Sequence, residues 1–237
     1  MRKTGKTKAL YAGSFDPITR GHLDIIGKAL MTFDAVHVAI GTNVKKQRTF
    51  GVEESQRLIV RSIVEHWPDA IATTDALASG ELLFDGALDV GEFTNQSLIA
   101  YARKIDATHI VRGLREASDF NEEFNLHGVA GRIDPSIPMV HFICEAQFLH
   151  VSSSTAKELD AVGEDIGWLV MPSVEAAFAA RRGRAVATGG RDSAERAVLY
   201  KPCGDVPPGS RHPEALLRGL PVEPRGAGHH RLARWVR

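Results

Sequence analysis

Cysteine is scarce in this chain, with only Cys144 and Cys203 among 237 residues. Two thiols cannot build a disulfide framework or a four-thiolate zinc site. Their scarcity suits a reducing, cytoplasmic setting. Long apolar runs are missing too, and none approaches the roughly 20 residues of a membrane span, so no membrane partner is expected. Four basic residues crowd positions 1–8, but no apolar stretch follows, so no signal peptide is expected. Net charge is absent as well, 29 Lys and Arg balancing 29 Asp and Glu. The whole chain therefore offers no electrostatic argument for nucleic acid. The sequence also lacks a serine-hydrolase arrangement and any His, Cys and carboxylate cluster at metal-ligand spacing, so no protein metal site is expected. Neither a Walker loop nor G-x-G-x-x-G occurs.

What is present is ordinary in amount, with 43% hydrophobic and 24% charged residues, and unevenly placed. Residues 181–237 hold 12 Lys and Arg against 5 Asp and Glu, with 8 Gly and 6 Pro. They show no sustained period of 2 or 3.6. This segment reads as an appended, basic, disordered tail. It is either a mere extension or an arm touching RNA, lipid or the acidic body. Residues 1–180 read as the folded domain.

That domain alternates strands with helices. Lys8 to Gly13, Ala35 to Gly41, Ala70 to Thr74, Thr108 to Val111 and Pro138 to Ile143 read as strands. Gly21 to Phe33, Val52 to Trp67, Thr94 to Ile105 and Ser118 to Gly131 read as helices, with Ser118 as an N-cap. Thr155 and Glu158 fit a capping box for another helix, and Ser173 to Arg181 forms the last. Apolar strands separated by helices imply an α/β fold, a Rossmann-like, doubly wound parallel sheet of five strands. Ligands then bind beyond the carboxyl ends of the strands, at a switch point.

Four loops at those ends carry candidate chemistry. The first, GSFDPITRGH (13–22), offers the Ser14 hydroxyl, a capping Thr19 and His22 in the first turn of a helix, where phosphate is attracted. The second, Asn43–Phe50, carries Lys45, Lys46 and Arg48. The third, Val111–Arg115 (VRGLR), flanks Gly113, expected in a tight turn, with two arginines. They serve either phosphate or salt bridges to Glu116 or Asp119. The fourth, Val151–Thr155 (VSSST), puts three serines at a helix start. Phosphate-binding groups at four strand ends favour catalysis by positioning and electrostatics, as in transfer at phosphorus.

YAGSFDPITRGHLDII, VRGLREASDF and VSSSTAKEL resemble the phosphopantetheine adenylyltransferases, a bacterial family of nucleotidyltransferases with a T/H-x-G-H signature. The likeness runs over about residues 8–180. The T-x-G-H form (Thr19–His22) with R-G-L-R sets this family apart from pyridine-nucleotide adenylyltransferases and cytidylyltransferases. The resemblance implies transfer of the adenylyl group of ATP to 4′-phosphopantetheine, with Mg²⁺, in a homohexamer. It implies catalytic roles for His22, Ser14 and Lys46. For ATP it implies Ser14, Phe15 beside the nucleotide, His22, Gly113, Leu114, Arg115, Glu123, and Phe148, Leu149, His150, Val151, Ser152, Ser153 and Ser154. For the acceptor it implies Ser14, Lys46, Leu98 and Arg112. The chain departs from the family in its tail and in an insertion expected within Asp75–Phe93. Another nucleotidyltransferase of the superfamily, or a nucleotide- or RNA-binding protein, is the rival reading.

Overall fold

The computed structural model of the chain describes residues 5–42, 47–68 and 87–187. Five strands build the sheet: β1 (Lys8–Gly13), β2 (Ala35–Thr42), β3 (Leu88–Thr94), β4 (His109–Leu114) and β5 (Met139–Ile143). The helices are α1 (Arg20–Thr32), α2 (Val52–His66), α3 (Leu98–Lys104), α4 (Ala117–Ile133), α5 (Ser153–Val162) and α6 (Pro172–Ala187). All neighbouring strands pair in parallel, in the order β3-β2-β1-β4-β5. Parallel strands need crossovers, and the crossover helices cover both faces. That is why β1 and β2 are apolar on both sides: Ala9, Tyr11, Val36, Val38 and Ile40 enter one core cluster, and Leu10, Ala12 and Ala39 another. The first cluster takes residues of α1, α2, α5 and α6, and the second takes residues of α3 and α4.

The order runs outward from β1 through β2 and β3, then outward again from β4 to β5. The reversal lies between β1 and β4, where the carboxyl ends of neighbouring strands leave a crevice. Gly13 ends one of these strands and Arg112 to Leu114 the other.

The third strand differs from the sequence expectation. Ala70–Thr74 lies outside the described residues, as does most of the stretch expected as an insertion. Its last part, Leu88–Phe93, is β3, paired with β2 from Val36↔Leu88 to Thr42↔Thr94. This is an edge strand carrying Asp89, Gly91 and Glu92, so it lacks the continuous apolar run that marks a central parallel strand. Because β3 runs to Thr94, α3 starts only at Leu98. The Ser97 hydroxyl caps it by accepting the Ala100 N–H at 3.1 Å.

Two caps also differ. Helix α4 begins at Ala117, with Glu116 rather than Ser118 at the N-cap. Helix α5 begins at Ser153, where Ser152 accepts the Thr155 N–H at 2.9 Å. Thr155 is therefore the capped residue and not the cap. Helix α6 runs on to Ala187, past the expected tail boundary at 181; the rest of that tail, 188–237, lies outside the described residues.

Gly113 is not in a turn. It is part of β4, paired with Phe142, and a Cβ there would lie 3.0 Å from Ile25 Cγ1 and 3.3 Å from Cδ1. Glycine lets α1 pack directly on the end of β4. Gly113→Ala is expected to cost about 1–3 kcal/mol of overpacking. In a denaturation cycle with Ile25→Ala, part of that cost should vanish, because the second change removes the atoms that clash.

Candidate active site

Helix α1 starts at the crevice, and its first turn is organised around His22. Thr19 is the N-cap, extended at φ −129° and ψ 168°. Its backbone N–H donates to His22 Nδ1 at 3.0 Å, and its hydroxyl lies 3.0 Å from the same nitrogen. This is a capping box with histidine in the place usually held by Glu or Gln. The ring also packs edge-on to Phe15, with centroids 5.0 Å apart. Burial first, and the charges of Arg115 and Arg112 second, lower its pKa from the usual 6.5 to about 4. His22 is therefore neutral near pH 7. Because Nδ1 accepts from Thr19, the ring proton sits on Nε2, which is left to donate to a ligand oxygen.

Arg112, at the end of β4, faces the same crevice. Its Nε donates to both Glu123 oxygens, at 2.9 and 2.8 Å, and Nη2 also reaches Glu123. Nη1 donates to the Ala12 carbonyl of β1 at 2.6 Å. Burial works against the guanidinium charge, but the Glu123 pairing outweighs it and raises the pKa. Arg115 follows in the loop. Its N–H donates to Asp119 Oδ2 at 2.9 Å, its side chain lies 3.4 Å from the same carboxylate, and Nη1 reaches the Val151 carbonyl at 3.4 Å. Of the readings left open for the arginines, salt bridging to Asp119 is thus realised for Arg115. Arg112 takes Glu123 as its partner.

The four loops are tied to one another. Asp16 is buried, and its carboxylate accepts the N–H groups of Thr49 and Phe50, each at 2.9 Å. Arg48 donates to the Ser14 carbonyl at 2.9 Å and the Ser55 hydroxyl at 3.0 Å. Ser153 donates to the Pro17 carbonyl at 2.7 Å. The Cα of Gly21 faces the carbonyls of Phe148 and Val151, which would lie 3.8 and 3.7 Å from a Cβ there.

The residues expected at the site are therefore divided in role. His22, Arg112, Arg115, Ser153 and the backbone of Ser14 come together with Gly113, Leu114 and Glu123 at the crevice. Lys46 lies outside the described residues, with Lys45. Phe15 is a core residue, 1% exposed, with its backbone at φ 43°, and its ring packs edge-on against His22. Phe148 and Leu149 pack on the core, and Val151 is buried in it. His150 and Ser154 are exposed, and Ser152 is spent as a cap. Leu98 opens α3 and packs against the second core cluster. Arg48, expected as a cation for substrate, serves as a loop brace. Asp16 was not singled out from the sequence. Its signal is a lone acid between Phe15 and Pro17, since an acid flanked by apolar residues is buried only when paired.

The cytidylyltransferase-like family model matches residues 10–159. A phosphopantetheine adenylyltransferase of Roseiflexus sp. (strain RS-1) is 35% identical over 171 residues, covering 72% of this chain and 94% of the relative. The chain belongs to the phosphopantetheine adenylyltransferase family. Among solved structures, a putative nicotinate-nucleotide adenylyltransferase from Vibrio parahaemolyticus superposes with a TM-score of 0.50 at 16% identity. That match covers 76% of this chain and 94% of the other, and it shows a shared fold. In this member of the phosphopantetheine adenylyltransferase family, the crevice and its four loops lie within the matched region 10–159.

Two outcomes are expected. Asp16→Ala leaves two backbone N–H groups without an acceptor and should cost about 2–4 kcal/mol in chemical denaturation. His22, followed by nitrogen NMR, should show its proton on Nε2 and titrate near 4. The folded protein then binds fewer protons than the unfolded chain between pH 6.5 and about 4. The His22 contribution to stability, read as the difference between wild type and His22→Ala, should fall as the pH drops through that window and level off below it.

Proposed function

We propose that the chain transfers the adenylyl group of ATP to 4′-phosphopantetheine, forming dephospho-coenzyme A and pyrophosphate, a step of coenzyme A biosynthesis. The observation that carries this reading is the neutral His22, aimed by Thr19 into a crevice flanked by two arginines, in a chain 35% identical to a phosphopantetheine adenylyltransferase. An oxygen of the acceptor's phosphate attacks the α-phosphorus in line. The bond from that phosphorus to the bridging oxygen breaks, and pyrophosphate leaves with the electron pair. The attacker is already an anion, so no general base is required. The demands are to bring two anions together and to hold the charge that develops.

His22 meets the second demand as a neutral donor. Its Nε2–H reaches an α-phosphoryl oxygen, assisted by Ser14 and Lys46. Arg112 and Lys46 position the acceptor's phosphate, and Ser14 and Leu98 complete the acceptor contacts. Arg112 keeps N–H groups to spare after serving Glu123 and Ala12. Arg115 with Ser153 and Ser154 takes the leaving pyrophosphate. Phe15, Gly113, Leu114, Glu123 and the segment Phe148–Ser152 shape the nucleotide side, largely by backbone and packing. Mg²⁺ fits as a passenger on the triphosphate. Among the described residues no three His, Cys, Asp or Glu could hold a metal ion. Asp16, Asp119 and Glu123 are also all engaged with protein partners. When bound, the ion neutralises phosphate charge.

A homo-oligomer, hexameric in this family, suits α4. Phe120, Phe124, Val129 and Ile133 on this helix are exposed, Phe124 by 67%, and the two phenylalanines stack 6.0 Å apart. Phe120 and Phe124 lie one turn apart on one face of the helix, with Val129 and Ile133 on the opposite face, and an exposed aromatic pair of this kind suits a protein interface. A cytoplasmic location fits the reaction, and no described helix is long and apolar enough to cross a membrane.

Purified protein with Mg²⁺ and ATP should release pyrophosphate when given 4′-phosphopantetheine and not when given nicotinamide mononucleotide. The reverse preference would sink the assignment. His22→Ala should fold normally and lose about 10²–10³ in kcat, roughly 3–4 kcal/mol of barrier. Phe124→Asp should shift the particle toward the monomer mass in light scattering, with the monomer still folded.

A further inference from the structure

Three residues on one face of β3 meet the same two side chains. Asp89 Oδ1 lies 2.7 Å from His37 Nδ1, across the register pair His37↔Asp89. Two residues on, a Cβ at Gly91 would lie 2.9 Å from both His37 Cε1 and Nε2 and 3.2 Å from the Tyr101 hydroxyl. Two further on, Phe93 stacks on the Tyr101 ring, with centroids 4.6 Å apart and planes 19° apart. His37 Nε2 closes the set at 2.8 Å from the Tyr101 hydroxyl. His37 and Tyr101 are both buried. A neutral imidazole satisfies both neighbours when Nδ1–H donates to Asp89 and Nε2 accepts from the Tyr101 O–H.

This polar chain links α3 to β2 and β3. Helix α3 has seven residues, too few to hold its place by backbone bonds alone. Tyr101 lies one turn from Leu98, on the same face. Its bond to His37 and its stacking on Phe93 therefore fix where the first turn of α3 stands. That turn sits just past the carboxyl end of β3. Thr42 and Thr94 pair their hydroxyls there, at the carboxyl ends of β2 and β3. The groups proposed for the nucleotide come from β1, β4 and α5, on the other side of β2.

We propose that the Asp89–His37–Tyr101 chain sets acceptor affinity by positioning the first turn of α3. His37 and Tyr101 are then positioning residues for one substrate and not for the other. The inference rests on the reaction assigned above. The test is steady-state kinetics of Tyr101→Phe, which deletes only the hydroxyl, beside Asp89→Ala and Asp89→Asn. Asp89 is partly exposed, so its variants remain informative if Tyr101→Phe folds poorly. The expected result is a KM for 4′-phosphopantetheine raised fivefold or more in Tyr101→Phe and Asp89→Ala. The KM for ATP and kcat should stay within twofold, and Asp89→Asn should return toward wild type. An unmoved acceptor KM, or equal rises for both substrates, overturns the proposal while the assigned reaction stands. Wild-type protein that turns over no 4′-phosphopantetheine overturns the reaction, and the proposal with it.

Discussion

A guanidinium drawn partly out of water needs its charge answered within hydrogen-bond reach, and Arg112 is half-buried where the strand order reverses. Glu123 on α4 answers it from one side and the Ala12 carbonyl of β1 from the other. That one side chain joins β1, β4 and α4 at the mouth of the crevice. It also fixes the direction in which the remaining guanidinium N–H groups point. A positive charge held in advance spares the reaction the work of assembling it around a developing anion.

The same economy runs through the other loops. Asp16, Arg48 and Ser153 carry functional groups suited to a ligand, yet each bonds first to a neighbouring loop, while Ser152 caps its own helix and Asp119 holds Arg115. Loops lack the ladder hydrogen bonds of strands, so their backbone polar groups need such partners. The groups left for chemistry are few, and they stand on supports. His22 rests on Thr19 and Phe15, Arg112 on Glu123, and Arg115 on Asp119. Geometry held to within a fraction of an ångström depends on supports of this kind.

The sequence reading succeeded where one local cause decides the outcome. Apolar runs such as Leu10 to Ala12 and Val36 to Ile40 can only be covered strands, and Thr19 ahead of Gly21 and His22 is a helix start. It missed where the cause lies elsewhere in the chain. Leu88–Thr94 reads as polar because Asp89 is answered by His37, 52 positions earlier. Gly113 reads as a turn glycine, but its reason is Ile25 on another element. The side-chain placement of Phe15 is likewise not readable locally, since its ring fills the space that Gly13 leaves, 3.2 Å from where a Cβ would stand.

By itself, the sequence determined the parallel α/β class, the loops that gather at the strand ends and the residue types they carry. These follow from period, capping and composition, which are properties of neighbouring residues. Only the tertiary structure decided which of those groups are free for a ligand and which are spent as braces. It also decided which nitrogen of His22 carries the proton and which strand closes the sheet edge. Each of these depends on a partner tens of residues away or on a degree of burial that exists only once the sheet has formed. A hydroxyl, an imidazole or a guanidinium acquires its role when packing removes its other choices.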